Sequence, residues 1–301
     1  MEKQTLLTMR NPVIKPTSDI FTAVLWSALK NEPLLRDFLN AVLINGRQPQ
    51  IQQATVLNPF NVKEYAMDRQ LILDVRVRDE GGSHYNIEFQ SLSHPGFSNR
   101  MLLQWGDTYS AQLRSGDDFT KLASVKSVVV TDFPIFPELQ DIHTIFEIRA
   151  RENPKVLLSD HFQMNFLRLG DLRKRQLEGL QVLYNGLQHW VNFFLFGATA
   201  TEDRMSQLVE NNQVVMTAYR EFQRFTADAE MRDLERRRRR FVEDQRIYVD
   251  AARSEGKAEG IAEGIAGGIT LTAKNMKQAG ADFDFIAKVT GLSSTEIEHL
   301  D

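Results

Sequence analysis

The chain has 301 residues, 42% hydrophobic and 25% charged, which suits one sizeable core with an appendage or two modest domains. Its net charge of −4 argues against indiscriminate coating of nucleic acid, because proteins that do so usually carry a basic excess. Cysteine is absent, which excludes disulfides and thiolate metal sites, so any metal must bind carboxylates, imidazoles, carbonyls or water.

Membrane insertion and secretion are not expected. No run approaches the roughly 18 consecutive apolar residues of a spanning helix. The first residues also lack the apolar segment of a signal peptide. We therefore expect a cytoplasmic protein with no membrane contact.

Two helices are predicted between residues 19 and 43, because apolar side chains recur at helical spacing on both sides of a break at residues 31–33. Asp19 stands at the start of the first helix, where aspartate is a favoured N-cap. A polar loop at residues 46–53 and a short edge strand at residues 51–56 are expected to follow.

Residues 71–90 carry two runs of alternating apolar and polar residues around a turn-forming cluster, which predicts an antiparallel hairpin. One face of the first strand is apolar and should face the core, and the second strand repeats the pattern. The apolar positions are Leu71, Leu73, Val75, Val77, Tyr85, Ile87 and Phe89. Glu88 and Gln90 therefore share the opposite face.

The turn decides which residues oppose each other. A three-residue loop at residues 80–82 keeps the apolar rows together and places Asp74 opposite Glu88, whereas a two-residue turn would set Val75 against Glu88. The first register brings two carboxylates to about 5 Å at Cβ, which is destabilising in a purely structural hairpin. Such a pair suits Mg²⁺, which typically takes one or two protein carboxylates. The alternative is a solvated strand face without a function.

These residues resemble a known nuclease motif. Asp74 followed by Glu88-Phe89-Gln90 is similar to the D…ExQ form of the PD-(D/E)XK motif, and residues 85–90 (YNIEFQ) resemble its transposase-like branch of recombination-promoting nucleases. The resemblance extends upstream to residues 18–21 and 33–41, and downstream to Arg100, Tyr109 and the EGxx-rich tail.

This resemblance implies an α/β, restriction-endonuclease-like mixed β-sheet flanked by helices, and a Mg²⁺- or Mn²⁺-dependent endonuclease acting on double-stranded DNA. Asp74, Glu88 and the Phe89 carbonyl would hold the metal. Gln90 replaces the usual lysine and, being neutral, would orient the attacking water. Asp19 would be a further carboxylate at the site, although Thr22 stands where lysine is expected.

A helix over residues 98–113 presents Arg100, a candidate DNA-phosphate contact because its guanidinium is permanently charged and fork-shaped. Tyr109 is expected to be a core residue with its hydroxyl at the rim. Valine-rich residues 122–133 predict a buried strand, and residues 142–148 a second. His143 and His161 alternate with apolar neighbours and are expected to be structural.

The chain becomes helical from about residue 171, with an apolar stripe of Leu177, Leu180, Leu183, Leu187, Trp190 and Phe194. The arginines at 236–240 favour a solvated, salt-bridged helix over a phosphate-binding patch, because they point all round the helix. Glycine at every fourth position of residues 255–270 weakens a lone helix and predicts either a flexible tether or a close contact with a second copy, and we favour a helical tether. Two short helices are expected in the tail, the second opened by a capping box at residues 293–296.

We accordingly divide the chain into a nuclease-like core at residues 1–170, a helical region at 171–254, a tether at 255–270 and a small module at 271–301. A homodimer through the helical half is expected, since it would give two sites for two DNA strands. The competing hypothesis is a catalytically inactive relative that binds DNA or protein through the same fold.

Overall fold

The computed structural model describes residues 13–43, 50–60, 74–93, 95–174 and 185–300. The predicted core positions Leu71, Leu73, Leu177, Leu180 and Leu183, and part of the predicted loop at residues 46–49, lie outside this range. No described helix is long and apolar enough to cross a membrane.

Within the described residues, the fold is built on a mixed sheet of six strands in the order β1-β2-β3-β4-β6-β5. Strands β1, β2 and β3 pair antiparallel, β4 runs parallel to both β3 and β6, and β5 is antiparallel to β6. The strands are β1 (Ala54–Val56), β2 (Val75–Asp79), β3 (His84–Gln90), β4 (Val125–Thr131), β5 (His143–Phe146) and β6 (Phe162–Arg168). The predicted hairpin and the two later strands are confirmed, with bounds shifted by a few residues.

Helices flank the sheet. The described ones are α1 (Asp19–Ser27), α2 (Glu32–Leu43), α3 (Phe97–Ser110), α4 (Leu169–Lys174), α5 (Asn185–Phe196), α6 (Glu202–Leu208), α7 (Gln213–Ala227), α8 (Ala229–Gln278), α9 (Phe283–Thr290) and α10 (Ser294–Glu298). A short 3-10 turn (Leu29–Asn31) marks the predicted break between α1 and α2. This is the mixed sheet with flanking helices and a helical C-terminal half expected of a restriction-endonuclease-like fold.

The main core lies between one face of the sheet and helices α1, α2, α5 and α7. Aromatic rings dominate it: Phe38 stacks on Trp26 at 5.4 Å between ring centroids and also contacts Trp190, Phe194 and Phe89. Because Phe89 precedes Gln90 on β3, this cluster fixes the strand that carries the candidate site. A smaller core under α3 covers the other face.

The chain forms two compact units, residues Met1–Arg238 and Arg239–Asp301. The helical half, which begins near residue 171, starts inside the first unit, where α5 and α7 pack into the main core. In the second unit, α9 and α10 pack on the end of α8 through Ala273, Ile286 and Ile297. The predicted capping box at Ser293 is present, and Gly291 ends α9 with φ of 74°.

Candidate functional site

The two predicted carboxylates lie opposite each other on neighbouring strands. The register of β2 and β3 pairs Val75 with Ile87, so the next pair outward is Asp74 with Glu88. The hairpin has the predicted three-residue loop, in which the Asp79 amide donates to the Ser83 carbonyl at 3.0 Å. Gly82 adopts φ of 89° there, which glycine does without strain.

Asn58 fixes the backbone at the start of β2. Its Nδ2 donates to the Asp74 carbonyl at 2.9 Å, and its Oδ1 accepts from the Arg76 amide at 2.7 Å. The Asn58 side chain thus bonds to main-chain groups on both sides of Val75, and the backbone that carries the Asp74 carboxylate is held in place.

Glu88 is the most strongly perturbed acid of this group. Burial raises the pKa of Glu88 to about 7, and the nearby carboxylates of Asp74 and Asp19 push it in the same direction, against the opposing charges of Arg100 and Arg238. Burial also raises the pKa of Asp74. Glu88 on β3 is therefore partly shielded from water and close enough to Asp74, just before β2, and to Asp19 on α1 to be repelled by both carboxylates.

Arg100 links α3 to this cluster. Its Nη2 donates to Glu88 Oε1 at 2.8 Å and to Gln90 Oε1 at 2.9 Å. The guanidinium lies 5.4 Å from the centre of the Phe97 ring, which is buried under the sheet. One arginine therefore bridges the two candidate residues of β3 while remaining 45% exposed, within reach of a ligand.

Asp19 is not the N-cap of α1. That role belongs to Ser18, whose Oγ accepts from the Phe21 amide at 3.2 Å and donates to Glu235 at 2.5 Å. One turn further along α8, Arg238 Nε donates to Asp19 Oδ2 at 2.7 Å. No sequence pattern indicates this contact, since any of the five adjacent arginines could have faced inward.

The Gln90 amide is held in one orientation. Its Oε1 accepts from Arg100, and its Nε2 donates to the Leu92 carbonyl at 3.0 Å. The Gln90 carbonyl accepts from the Asp132 amide beyond the end of β4. Since carbonyls alternate along a strand, the Phe89 carbonyl points to the β2 side, past the last described pair of that ladder.

The donors suit a hard divalent cation in kind: two carboxylates on adjacent strands and a main-chain carbonyl directed to their side. Within the described part of the chain, however, no group of three or more Asp, Glu or His side chains is arranged to hold a metal ion. Arg100 and Arg238 instead bind Glu88 and Asp19. A bound cation would have to share these carboxylates with the two guanidinium groups or displace them, since each arginine donates to one oxygen of its carboxylate.

The remaining predicted residues have structural contacts. Tyr109 stacks on Trp105 and bonds to His161 through its hydroxyl at 2.9 Å, while His143 pairs with Asn165 at 3.3 Å. Arg236 and Arg237 both pair with Asp233 on the same helix, as a salt-bridged helix requires. Thr22 turns its hydroxyl back to the carbonyls of Ser18 and Asp19.

A family model described as PD-(D/E)XK nuclease family transposase matches residues 16–252, which takes in every described strand and α1 to α7. No curated protein and no solved structure matches the chain.

Proposed function

Because the chain belongs to the PD-(D/E)XK nuclease family transposases, we propose that it is a metal-dependent endonuclease that hydrolyses phosphodiester bonds of double-stranded DNA. The observation that carries this proposal is the pairing of Asp74 with Glu88 across the hairpin. Two carboxylates held together and partly shielded from water lower the stability of the fold. Destabilising arrangements of this kind are typically retained where function requires them.

Asp74, Glu88 and the Phe89 carbonyl would hold Mg²⁺ or Mn²⁺. When bound, the ion polarises a phosphoryl oxygen and lowers the pKa of a bound water. Gln90 holds the attacking water by a hydrogen bond, since its fixed amide can accept or donate but carries no charge. Arg100, released from Glu88, neutralises a phosphate oxygen, and Asp19 adds negative charge on the α1 side.

The competing function is DNA or protein binding without catalysis. Isothermal titration with Mg²⁺ and Mn²⁺ separates the two, because an inactive relative has no need of a cation site. We expect binding heat for the wild type, and its loss in Asp74→Asn. Glu147→Gln is the matched control, since it also removes one carboxylate charge but follows β5, at the opposite edge of the sheet from the candidate site. Absence of heat in all three proteins would favour the inactive relative.

We also propose a homodimer formed through the helical C-terminal half. Helix α8 runs unbroken through the glycine-rich residues 255–270, and the side chains of Ile261 and Ile265 on it are exposed. Small residues every fourth position let a second helix approach closely. A twofold dimer would supply one site for each strand of a duplex.

A further inference from the structure

Strand β2 carries two arginines beside the candidate metal ligands. Val75 and Val77 are buried in the main core, so the alternate residues Arg76 and Arg78 lie on the opposite face and are exposed. Asp74 precedes them on that same face, because side chains alternate along a strand. The order along the strand is therefore acid, arginine, arginine.

These two guanidinium groups differ from those at the carboxylates. Arg100 and Arg238 are bound to Glu88 and Asp19, whereas neither Arg76 nor Arg78 has an ion-pair partner among the described residues. Their charges still reach neighbours on the same face. The Arg76 charge partly offsets the burial that raises the pKa of Asp74, and the Arg78 charge adds to the burial that lowers the pKa of His84.

The surface around the two arginines is open. Helix α3 covers β3 and β4, where Thr108 bonds to Asn86 and Arg100 to Glu88. Among the described residues it does not extend over β2 and the edge strand β1, where Thr55, the partner of Arg78 on β1, is exposed. An exposed strip of sheet therefore leads from the carboxylates to the hairpin turn.

We infer that Arg76 and Arg78 bind two phosphates, about two nucleotides apart, of the DNA strand that enters the candidate site. This inference rests on the proposed function and adds the direction of approach: along β2, from the hairpin turn to Asp74. Residues two apart on a strand are separated by about 6.6 Å, so the row from Asp74 to Arg78 spans about 13 Å. At an axial rise of about 3.4 Å per nucleotide, that length matches about four nucleotides of one strand.

The residue type fits this role. A guanidinium presents a planar fork that binds phosphate oxygens in pairs, keeps its charge at all accessible pH values and is weakly hydrated. Two such groups beside a cleavage site position the backbone without reading the bases. Local positive charge of this kind also explains how a chain with net charge −4 can approach DNA.

The test is equilibrium binding of a fluorescein-labelled 20-base-pair duplex, followed by anisotropy in Ca²⁺ between 50 and 300 mM salt. The proteins are wild type, Arg76→Gln, Arg78→Gln and the double variant. Arg114→Gln is the control, because Arg114 is also exposed but follows the far end of α3. Each substitution in the row should reduce the slope of log K against log salt by about 1, and the double variant should bind at least tenfold more weakly at 150 mM. The control should match wild type.

The outcomes distinguish failure of the proposed endonuclease function from failure of phosphate binding by Arg76 and Arg78. If the wild type does not bind the duplex, both the endonuclease function and the phosphate row fail. If the wild type binds and the double variant has the same slope and affinity, the row alone is refuted. If a glutamine variant unfolds at a lower temperature than wild type, Arg76→Lys and Arg78→Lys are measured in its place. Because lysine keeps the positive charge, these variants should preserve most of the salt dependence. A lysine variant that loses the salt dependence would contradict binding through charge.

Discussion

Replacing Glu88 by glutamine should stabilise the metal-free protein. The pKa of Glu88 is raised from 4.5 to about 7 by burial and by the carboxylates of Asp74 and Asp19. One pKa unit corresponds to about 1.4 kcal/mol, so keeping Glu88 ionised costs the fold up to about 3 kcal/mol. The side chain is only 13% exposed, and relaxation around it leaves an expected gain of about 1–3 kcal/mol.

The sign of the pH dependence follows from the direction of the shift. A carboxyl group whose pKa is raised on folding leaves the fold most stable below its unfolded pKa, and that stability is lost as the pH rises through the folded pKa. The advantage of Glu88→Gln should therefore be complete above pH 7, shrink between pH 7 and 4.5, and disappear below pH 4.5. For a unit of this size, 1 kcal/mol shifts Tm by about 2–4 °C.

Thermal unfolding in chelator at pH 8 and pH 5 measures this effect. We expect Glu88→Gln to melt several degrees above wild type at pH 8 and to lose most of that advantage at pH 5. Glu147→Gln is the control, since it also removes a carboxylate paired with an arginine, Arg149, and should not stabilise the fold. A lower Tm for Glu88→Gln at pH 8 would contradict this expectation. It would mean that the ion pair with Arg100 stabilises the fold by more than the burial of the Glu88 charge costs.

Three further predictions concern the site and the assembly. Gln90→Ala should slow cleavage by about 10- to 1000-fold in single-turnover assays, because one positioned polar group is removed while the metal stays. This effect should be smaller than that of losing either carboxylate ligand. Cleavage at the wild-type rate would exclude Gln90 from the chemistry. Arg238→Ala should tighten Mg²⁺ binding by about three- to tenfold in isothermal titration, because Asp19 loses the guanidinium that neutralises it and its negative charge then attracts the ion. Unchanged affinity would place Asp19 outside the site. Light scattering should find a dimer that dissociates when residues 255–301 are deleted, whereas a monomer in both proteins would count against the dimer.

The hairpin could be predicted from the sequence because its information is local. Strict alternation fixes which side chains share a face, and keeping the apolar rows together selects the three-residue loop at residues 80–82. The pairing of Asp74 with Glu88 therefore followed from a short stretch of chain. The capping box at Ser293 was equally accessible, because four consecutive residues contain the whole motif.

Strand β6 was not predicted, and two of its buried positions are polar. Asn165 is fully buried and bonds to His143 and to the Ser127 carbonyl. Arg168, also fully buried, donates to carbonyls of residues 135–141, holding the loop between β4 and β5. Such partners come from other strands and loops, so the sequence does not reveal them. Phe162, Met164 and Phe166 do alternate with Gln163 and Asn165, a short period-2 pattern that the prediction missed.

The bond between Arg238 and Asp19 joins residues 219 positions apart. Each residue looks ordinary in its own helix: Asp19 in a first turn, Arg238 in a run of arginines balanced by acids. Only the packing of the start of α8 against α1 selects Arg238 over its neighbours. The electrostatic balance of the candidate site was therefore beyond sequence patterns, although its central carboxylates were not.

Supercoiled-plasmid nicking across a Mg²⁺ titration tests whether Asp74 and Glu88 form the metal site of a DNA endonuclease. The wild type and Glu147→Gln should convert supercoiled to nicked plasmid only when the metal is present. Asp74→Ala and Glu88→Ala should lose this activity by more than Gln90→Ala does, because each removes a ligand and its share of the charge stabilisation. If either alanine variant cuts as fast as wild type at every Mg²⁺ concentration, the site has been assigned to the wrong residues.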